Sequence, residues 1–143
     1  MVAAHKEFQM PQNKELYFPI LVGAIYNYKK GINYQRDDEG TNISKKNPNY
    51  NELTAIYWAW KNLKHVDAIG LVHYRRYFIK GWHFSNLDNV IDEEDVAKLL
   101  SKYDVILPKK RHYYIETIYS HYIHSHHKAV SYTHLRAHET LMN

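Results

Sequence analysis

Residues 67–80 read Asp-Ala-Ile-Gly-Leu-Val-His-Tyr-Arg-Arg-Tyr-Phe-Ile-Lys, and this stretch decides the fold because an apolar run changes there into polar and aromatic residues. The apolar run covers residues 68–72, and a short aliphatic run of this kind predicts a strand that is buried on both faces. Ligands of open α/β sheets bind outside the carboxyl ends of the strands. The polar residues 73–77 therefore stand where the chemistry of such a sheet would lie.

The adjacent Arg75 and Arg76 are the strongest candidates for a binding site in this stretch. Burying two guanidinium groups is costly unless anions neutralise them, and either carboxylates of the same chain or phosphates of a ligand would do so. Neighbouring side chains of a strand point to opposite faces, so both arginines reach one ligand only if the strand ends or bends there. A guanidinium group matches phosphate oxygens with two parallel hydrogen bonds. The residues alone favour one arginine in an internal ion pair and one facing the crevice, and they leave two structural ion pairs about as open as a phosphate site.

The segments before this stretch predict strands and one long helix. Residues 2–4 look like the end of a strand, residues 20–25 are a strand or a helix, and residues 27–49 read as an extended loop. A helix over residues 49–64 begins with a capping box between Asn49 and Glu52. Its predicted buried stripe consists of Leu53, Ile56, Tyr57, Trp60 and Leu63.

The segments after it continue the alternation, which indicates an α/β fold with a mostly parallel sheet flanked by helices. Asp92 caps a predicted helix that reaches Tyr103, residues 104–107 predict a short strand, and residues 115–127 predict a third helix. Three basic residues follow the predicted strand, namely Lys109, Lys110 and Arg111. If that strand neighbours the first one, they face the same crevice as the arginine pair. Taken alone, the cluster is more simply a solvated basic loop.

Several other residues each have two interpretations. Asp37, Asp38 and Glu39 could hold Mg²⁺ or Mn²⁺ through carboxylate oxygens, although a solvated acidic loop is the commoner outcome. Glu52 either caps its helix or pairs with one of the arginines. Trp58 lies off the predicted stripe, where it would stack on a sugar or, more simply, pack against a neighbouring element. The histidines of residues 121–127 lack the accompanying ligands of a zinc site, so no metal site is predicted there.

The composition fits one globular domain with an anionic partner. The chain has 143 residues, a formal net charge of +4 and a pI of about 9.1, which suits a nucleotide, a phosphate, a nucleic acid or an acidic membrane face. It has no cysteine, so disulfides and thiolate chemistry are excluded. The longest apolar stretch near the amino end is far too short to span a bilayer. We expect a cytoplasmic protein that could rest against the inner face of the membrane.

Several motifs stand in order along residues 1–128. They are His5-Lys6, Tyr17-x-Pro19-Ile20-x-Val22-Gly23, Asp37-Asp38 with Asn42-Ile43-Ser44, Asn47-Pro48, Glu52-Leu53-Thr54-Ala55-x-Tyr57-Trp58-Ala59-Trp60-Lys61-Asn62, Ile69-Gly70-Leu71-Val72-His73-Tyr74-Arg75-Arg76-Tyr77-Phe78 and Tyr103-Asp104-Val105-Ile106-Leu107-Pro108. Together they resemble a bacterial family of glycosyltransferases from capsular and exopolysaccharide gene clusters, catalogued as a domain of unknown function.

The resemblance implies a GT-A-like (Rossmann-like) fold that is incomplete here, a nucleotide-sugar donor, a saccharide acceptor and no nucleic acid. GT-A enzymes usually hold a metal on the donor diphosphate with an Asp-x-Asp after the strand that follows the donor-binding helix. His73, Tyr74, Arg75 and Arg76 occupy that place here. This departure implies that cationic side chains replace the metal at the diphosphate. His5 and Lys6 belong to the same motif pattern and are further candidates for the site, while the catalytic residues stay unassigned.

The end of the chain does not match what precedes it. Residues 131–140 lack an amphipathic period and resemble a translated sequencing adaptor, so we expect residues 129–143 to be a non-native tail. Residues 1–128 would then be the amino-terminal part of a glycosyltransferase-like domain, truncated at both ends. Two other functions stay open. One is a basic, aromatic-rich nucleic-acid-binding module, whose affinity would fall steeply with salt. The other is a non-catalytic assembly protein of a polysaccharide locus.

Overall fold

A computed structural model describes residues 1–81 and 86–109, together with residues 117 and 120. The chain divides into two compact units, Met1–Ile106 and Leu107–Asn143. All strands and helices described below belong to the first unit. In the second unit, residues 107–109 are exposed, and the backbone N–H of Ser120 donates to the hydroxyl of Thr117 at 3.1 Å.

The first unit is built on a sheet of four short parallel strands. These are β1 (Val2–Ala4), β2 (Pro19–Leu21), β3 (Gln35–Arg36) and β4 (Val72–His73), in the spatial order β3-β2-β1-β4. Ala3 pairs with Ile20 on one side and with His73 on the other. The strand order therefore reverses at β1, because β2 and β3 extend to one side of it and β4 lies on the other. The predicted α/β fold with a mostly parallel sheet is confirmed.

Within the described residues, four helices accompany the sheet, and the core lies on both of its faces. They are α1 (Ala24–Asn27), α2 (Asn47–Tyr50), α3 (Leu53–Asn62) and α4 (Glu93–Leu100). Successive side chains of β1 point to opposite faces. Accordingly, Ala3 packs with Ile20 and Trp58 in one cluster, whereas Val2 packs with Tyr17 in a second cluster. The predicted strand at residues 2–4 is thus confirmed as a fully buried inner strand.

A buried carboxylate directly after β3 ties the first unit together. Asp37 is 0% exposed, and its Oδ2 accepts hydrogen bonds from the Gly23 backbone N–H at 2.7 Å and the Thr54 hydroxyl at 2.6 Å. Its Oδ1 accepts from the Ala24 backbone N–H at 2.8 Å and the Ser44 hydroxyl at 2.6 Å. Both oxygens are therefore fully engaged, and α1 and α3 are fixed relative to β3.

The predicted helix over residues 49–64 is wrong in its extent, its cap and its buried face. The chain forms α2 and then α3, separated by Asn51 at a φ of 47°, and no side chain caps α3. Leu53 and Trp60 are 59% and 66% exposed, while the buried residues of α3 are Thr54, Ala55, Trp58 and Ala59. The hydrogen bond from Thr54 to Asp37 turns this face inward, and the two alanines pack in the core beside β1. The hydrophobic periodicity of the sequence does not reveal that long-range hydrogen bond.

Two further strand predictions need correction. Residues 68–70 are exposed, and β4 comprises Val72 and His73, which are half-buried. The reason is that β4 lies at the edge of the sheet and pairs with β1 alone within the described strands. Residues 104–107 form no strand, and Val105 is 65% exposed.

The segment predicted as a long loop and the segment read as strand or helix are both more structured than expected. Residues 27–49 contain β3, a 3₁₀ turn at Ser44–Lys46 and the start of α2. Residues 20–25 contain the end of β2 and the start of α1, so both interpretations hold in succession. The prediction for α4 is confirmed at its start, where Asp92 forms a capping box with Asp95.

Some expectations fall outside the described residues. They concern the basic residues Lys110 and Arg111, the helix over residues 115–127 and the tail at 129–143. Within the described ranges, no helix has the length and apolar character needed to cross a membrane.

We predict that Asp37→Asn destabilises the fold by roughly 2–4 kcal/mol, measured as the free energy of unfolding in urea. Each carboxylate oxygen accepts one backbone N–H and one hydroxyl. A hydroxyl can turn away, but one backbone N–H must face the new amide NH₂ in either orientation of the asparagine. Asp38→Asn is the matched control, because it weakens only the partly exposed pair with Arg36 and should cost about 1 kcal/mol or less. Equal losses for the two variants would contradict the role of Asp37.

Candidate functional site

The candidate site lies at the carboxyl edge of the sheet, between β1 and β4. These strands are parallel neighbours, with Ala3 paired to His73. The residues that leave them at this edge are His5 and Lys6 after β1, and Tyr74 and Arg75 after β4. The strand order reverses between these two strands, and such a switch point is where open α/β sheets bind ligands.

A tight turn brings the two arginines to one cavity. The strand ends at His73, whose carbonyl oxygen accepts the backbone N–H of Arg76 at 2.8 Å. The Nδ1 atom of His73 accepts the backbone N–H of Arg75 at 3.3 Å. Both arginines are exposed and line one cavity of about 370 Å³, which is also lined by Leu71 and Glu52. The bend that the sequence required for a shared ligand is therefore present.

Neither arginine of this turn forms a salt bridge with a carboxylate of the described residues. The Arg75 guanidinium lies 5.1 Å from the ring centre of Tyr74. Arg36 shows the opposite arrangement, because its Nε and Nη2 both donate to Asp38, at 2.9 and 2.6 Å. Of the interpretations left open by the sequence, the described residues show no internal ion pairs for Arg75 and Arg76.

An aromatic cluster joins the segment after β1 to the turn after β4. The rings of Phe8 and Tyr74 stack with centroids 3.6 Å apart and planes 15° apart. His5 meets both rings edge-on, and the Lys6 ammonium lies 5.2 Å from the Phe8 ring centre. The hydroxyl of Tyr34 accepts the Phe8 N–H and donates to the Phe8 carbonyl oxygen, at 2.9 and 2.8 Å. His5 and Lys6 are thus held beside the turn.

Sequence reasoning missed Phe8 and Tyr34, although both organise this crevice. Phe8 lies three residues after His5, so its position beyond the end of β1 was a usable signal. Tyr34 contacts Phe8 across 26 residues of sequence, and no local pattern indicates that contact.

Glu52 is the acidic side chain of the cavity. Its Oε1 lies 3.5 Å from His73 Nε2, so its partner is the histidine and not an arginine. Burial lowers the pKa of His73, the Glu52 carboxylate raises it, and Arg75, Arg76 and His5 lower it further. The net direction is downward, so the fold favours the neutral imidazole.

The acidic loop does not fit a metal. Both oxygens of Asp37 accept protein donors, and Asp38 holds Arg36. Within the part of the chain that the structure describes, no three His, Asp or Glu side chains converge as a metal site. GT-A enzymes usually hold a metal on the diphosphate, but the residues of this loop do not provide its ligands.

Two other candidates are Trp58 and Lys109. Trp58 is 6% exposed and donates its Nε1–H to the Glu39 carbonyl oxygen at 3.0 Å, so it packs in the core and offers no face to a sugar. Lys109 is exposed and belongs to the second unit. Its predicted neighbours Lys110 and Arg111 lie outside the described residues.

Fold and site together define an α/β protein of Rossmann-like strand order, with a cationic crevice at its switch point. The chain belongs to the family described as domain of unknown function DUF4422, whose pattern matches residues 1–139. A search of curated proteins found no match. Among solved structures, the chain is similar to the apo structure of WbbM, a bifunctional glycosyltransferase, with 42% identity and a TM-score of 0.44. That similarity covers 54% of this chain, which spans 13% of the WbbM chain.

The electrostatics of the turn can be tested through the pKa of His73. Replacing Arg75 and Arg76 with glutamine removes two charges that disfavour the imidazolium, so the pKa of His73 should rise. Glu52→Gln removes the charge that favours the imidazolium, so the pKa of His73 should fall further below the ordinary histidine value. An NMR titration of the His73 ring protons measures both shifts, and Arg36→Gln is the control that should leave the midpoint in place. A His73 midpoint that is insensitive to the arginine pair would contradict this geometry.

Proposed function

We propose that this protein is a glycosyltransferase with a GT-A-like fold, and that the cavity at the His73–Arg76 turn binds the diphosphate of a nucleotide-sugar donor. One observation carries the proposal. Two adjacent guanidinium groups, without salt bridges in the described residues, line one cavity at the switch point of a parallel sheet. Exposed neighbouring cations repel each other, and an anion with two phosphates would neutralise both.

The reaction would pass the sugar from the donor to a hydroxyl group of a saccharide acceptor. The bond between the anomeric carbon and the diphosphate oxygen breaks as the acceptor oxygen bonds to that carbon, and the hydroxyl proton is released to solvent. Negative charge grows on the departing nucleoside diphosphate. Arg75 and Arg76 would stabilise that charge with donors already in place, the role that preorganised cations play in phosphate chemistry. His73 and Tyr74 shape the turn, and Lys6 adds positive charge beside it.

The family resemblance extends the proposal to the pathway and the place. The motifs resemble those of capsular and exopolysaccharide enzymes, so the acceptor would be a growing surface glycan. We place the protein in the cytoplasm, where its net charge of +4 would favour contact with the anionic inner face of the membrane. WbbM, to which part of the chain is similar, is a bifunctional glycosyltransferase.

The arginine pair is tested by calorimetric titration with UDP, GDP and inorganic pyrophosphate. Replacing Arg75 and Arg76 together with alanine should weaken the binding of the preferred ligand by about tenfold or more per arginine, as expected for charge-assisted hydrogen bonds. The matched control replaces Lys29 and Lys30 with alanine, because they form an equally charged, adjacent and exposed pair outside the cavity lining.

Equal losses in the two double variants would mean that overall charge, and not this turn, attracts the ligand. No binding of any of the three ligands by the parent chain would refute the donor site. Tight binding of single-stranded nucleic acid with steep salt dependence would favour the nucleic-acid module in its place.

A further inference from the structure

We infer that Glu52 and His73 form a positioning pair that holds the two arginines in their binding arrangement, and that this requires the neutral His73 with its proton on Nε2. The inference rests on the proposed function, because the arrangement that it maintains is that of the diphosphate site. Neither residue needs to touch the ligand for this role.

The backbone of the turn depends on His73 twice. Its carbonyl oxygen accepts the N–H of Arg76 at 2.8 Å, and its ring Nδ1 accepts the N–H of Arg75 at 3.3 Å. The second bond joins a side chain to the backbone two residues later, which is the geometry of an Asx-turn made here by an imidazole. Both arginines therefore have their backbone N–H groups fixed by one residue.

The Nδ1 bond determines the tautomer of the ring. A neutral imidazole carries one proton, and the nitrogen that accepts a hydrogen bond must be the one without it. The proton is therefore on Nε2, which faces Glu52 Oε1 at 3.5 Å. In the other tautomer, two N–H groups would oppose each other at Arg75, and the Nε2 lone pair would face the carboxylate. Glu52 thus selects the tautomer that the turn needs.

The charges around the ring support the same state. Groups that face His73 are Glu52 before α3, Arg75 and Arg76 in the turn, and His5 after β1. Burial and the cationic neighbours lower the pKa of His73 despite the carboxylate, which keeps Nδ1 free to accept. A proton on Nδ1 would remove the bond to Arg75.

The decisive variants separate the acceptor role from the ring itself. An asparagine Oδ1 can accept the Arg75 N–H in an ordinary Asx-turn, whereas phenylalanine keeps a ring and cannot accept. We expect His73→Phe to weaken the affinity for inorganic pyrophosphate by about fivefold, the effect of one neutral hydrogen bond. His73→Asn should recover most of that loss. Circular dichroism of each variant checks that the fold persists.

Glu52→Ala adds the second half of the test. Because it also removes a negative charge from the cavity, which favours pyrophosphate in both backgrounds, the test is the difference between them: the effect of Glu52→Ala on the affinity should be about two- to fivefold less favourable in the parent chain than in the His73→Asn background, where no tautomer remains to be selected. An equal effect in both backgrounds would show that Glu52 acts on the ligand directly, which would overturn the inference. So would a His73→Asn variant as weak as His73→Phe.

A measurement without ligand keeps the inference separate from the donor proposal. Long-range ¹H–¹⁵N correlation of the His73 ring in the free chain should show the proton on Nε2, and Glu52→Ala should produce a mixture of tautomers. A proton on Nδ1 in the parent chain would overturn the inferred positioning role of Glu52 and His73, whether or not pyrophosphate binds. If pyrophosphate fails to bind while the Nε2 tautomer is found, the donor site is wrong and the turn geometry is right.

Discussion

The carboxylate of Asp37 accepts four hydrogen bonds in the interior of the first unit, and the geometry of the candidate site depends on these bonds. One of its partners is Thr54 in the first turn of α3. That bond sets which face of α3 packs on the sheet, and Glu52 directly precedes the helix. The carboxylate of Glu52 is thereby placed 3.5 Å from His73, at the end of β4. A buried acid far from the arginines in sequence thus sets the contact that orders their turn.

The arginine turn depends equally on the strand order. Since β4 pairs with β1 and not with β3, the segments that follow β1 and β4 emerge side by side at the reversal. The stacking of Phe8 on Tyr74 then joins these two segments beside the turn. What remains is a site with cations, an imidazole and one carboxylate. Within the described residues, neither Arg75 nor Arg76 pairs with a carboxylate. This is the reason why we propose an anionic ligand.

Local signals predicted part of this arrangement. The apolar-to-basic change at residues 68–76 located the arginines at the end of a strand, and Asp92 as a cap marked the start of α4. The strand itself was predicted too early, because an apolar run does not reveal that β4 is a half-buried edge. The bend that lets both arginines share a cavity was not predicted from the sequence. It could only be stated as the condition under which both arginines reach one ligand.

Other features depend on contacts distant in sequence, and these escaped prediction. The buried face of α3 follows from Thr54 and Asp37, which lie 17 residues apart, so the larger apolar residues chosen by periodicity are exposed. The two residues of β3 are too few to show an alternating pattern, and their pairing with β2 makes them a strand. The sequence could not decide the partners of Glu52 and Trp58 for the same reason.

The central claim is that Arg75 and Arg76 together bind a diphosphate. The most direct measurement is side-chain ¹H–¹⁵N NMR of the arginine Nε–H groups during titration of the free chain with inorganic pyrophosphate. The account predicts that the signals of Arg75 and Arg76 shift together to saturation, while that of Arg36 stays in place because Asp38 already holds it. Saturable binding that leaves the Arg75 and Arg76 signals unmoved, or no saturable binding at all, would contradict it.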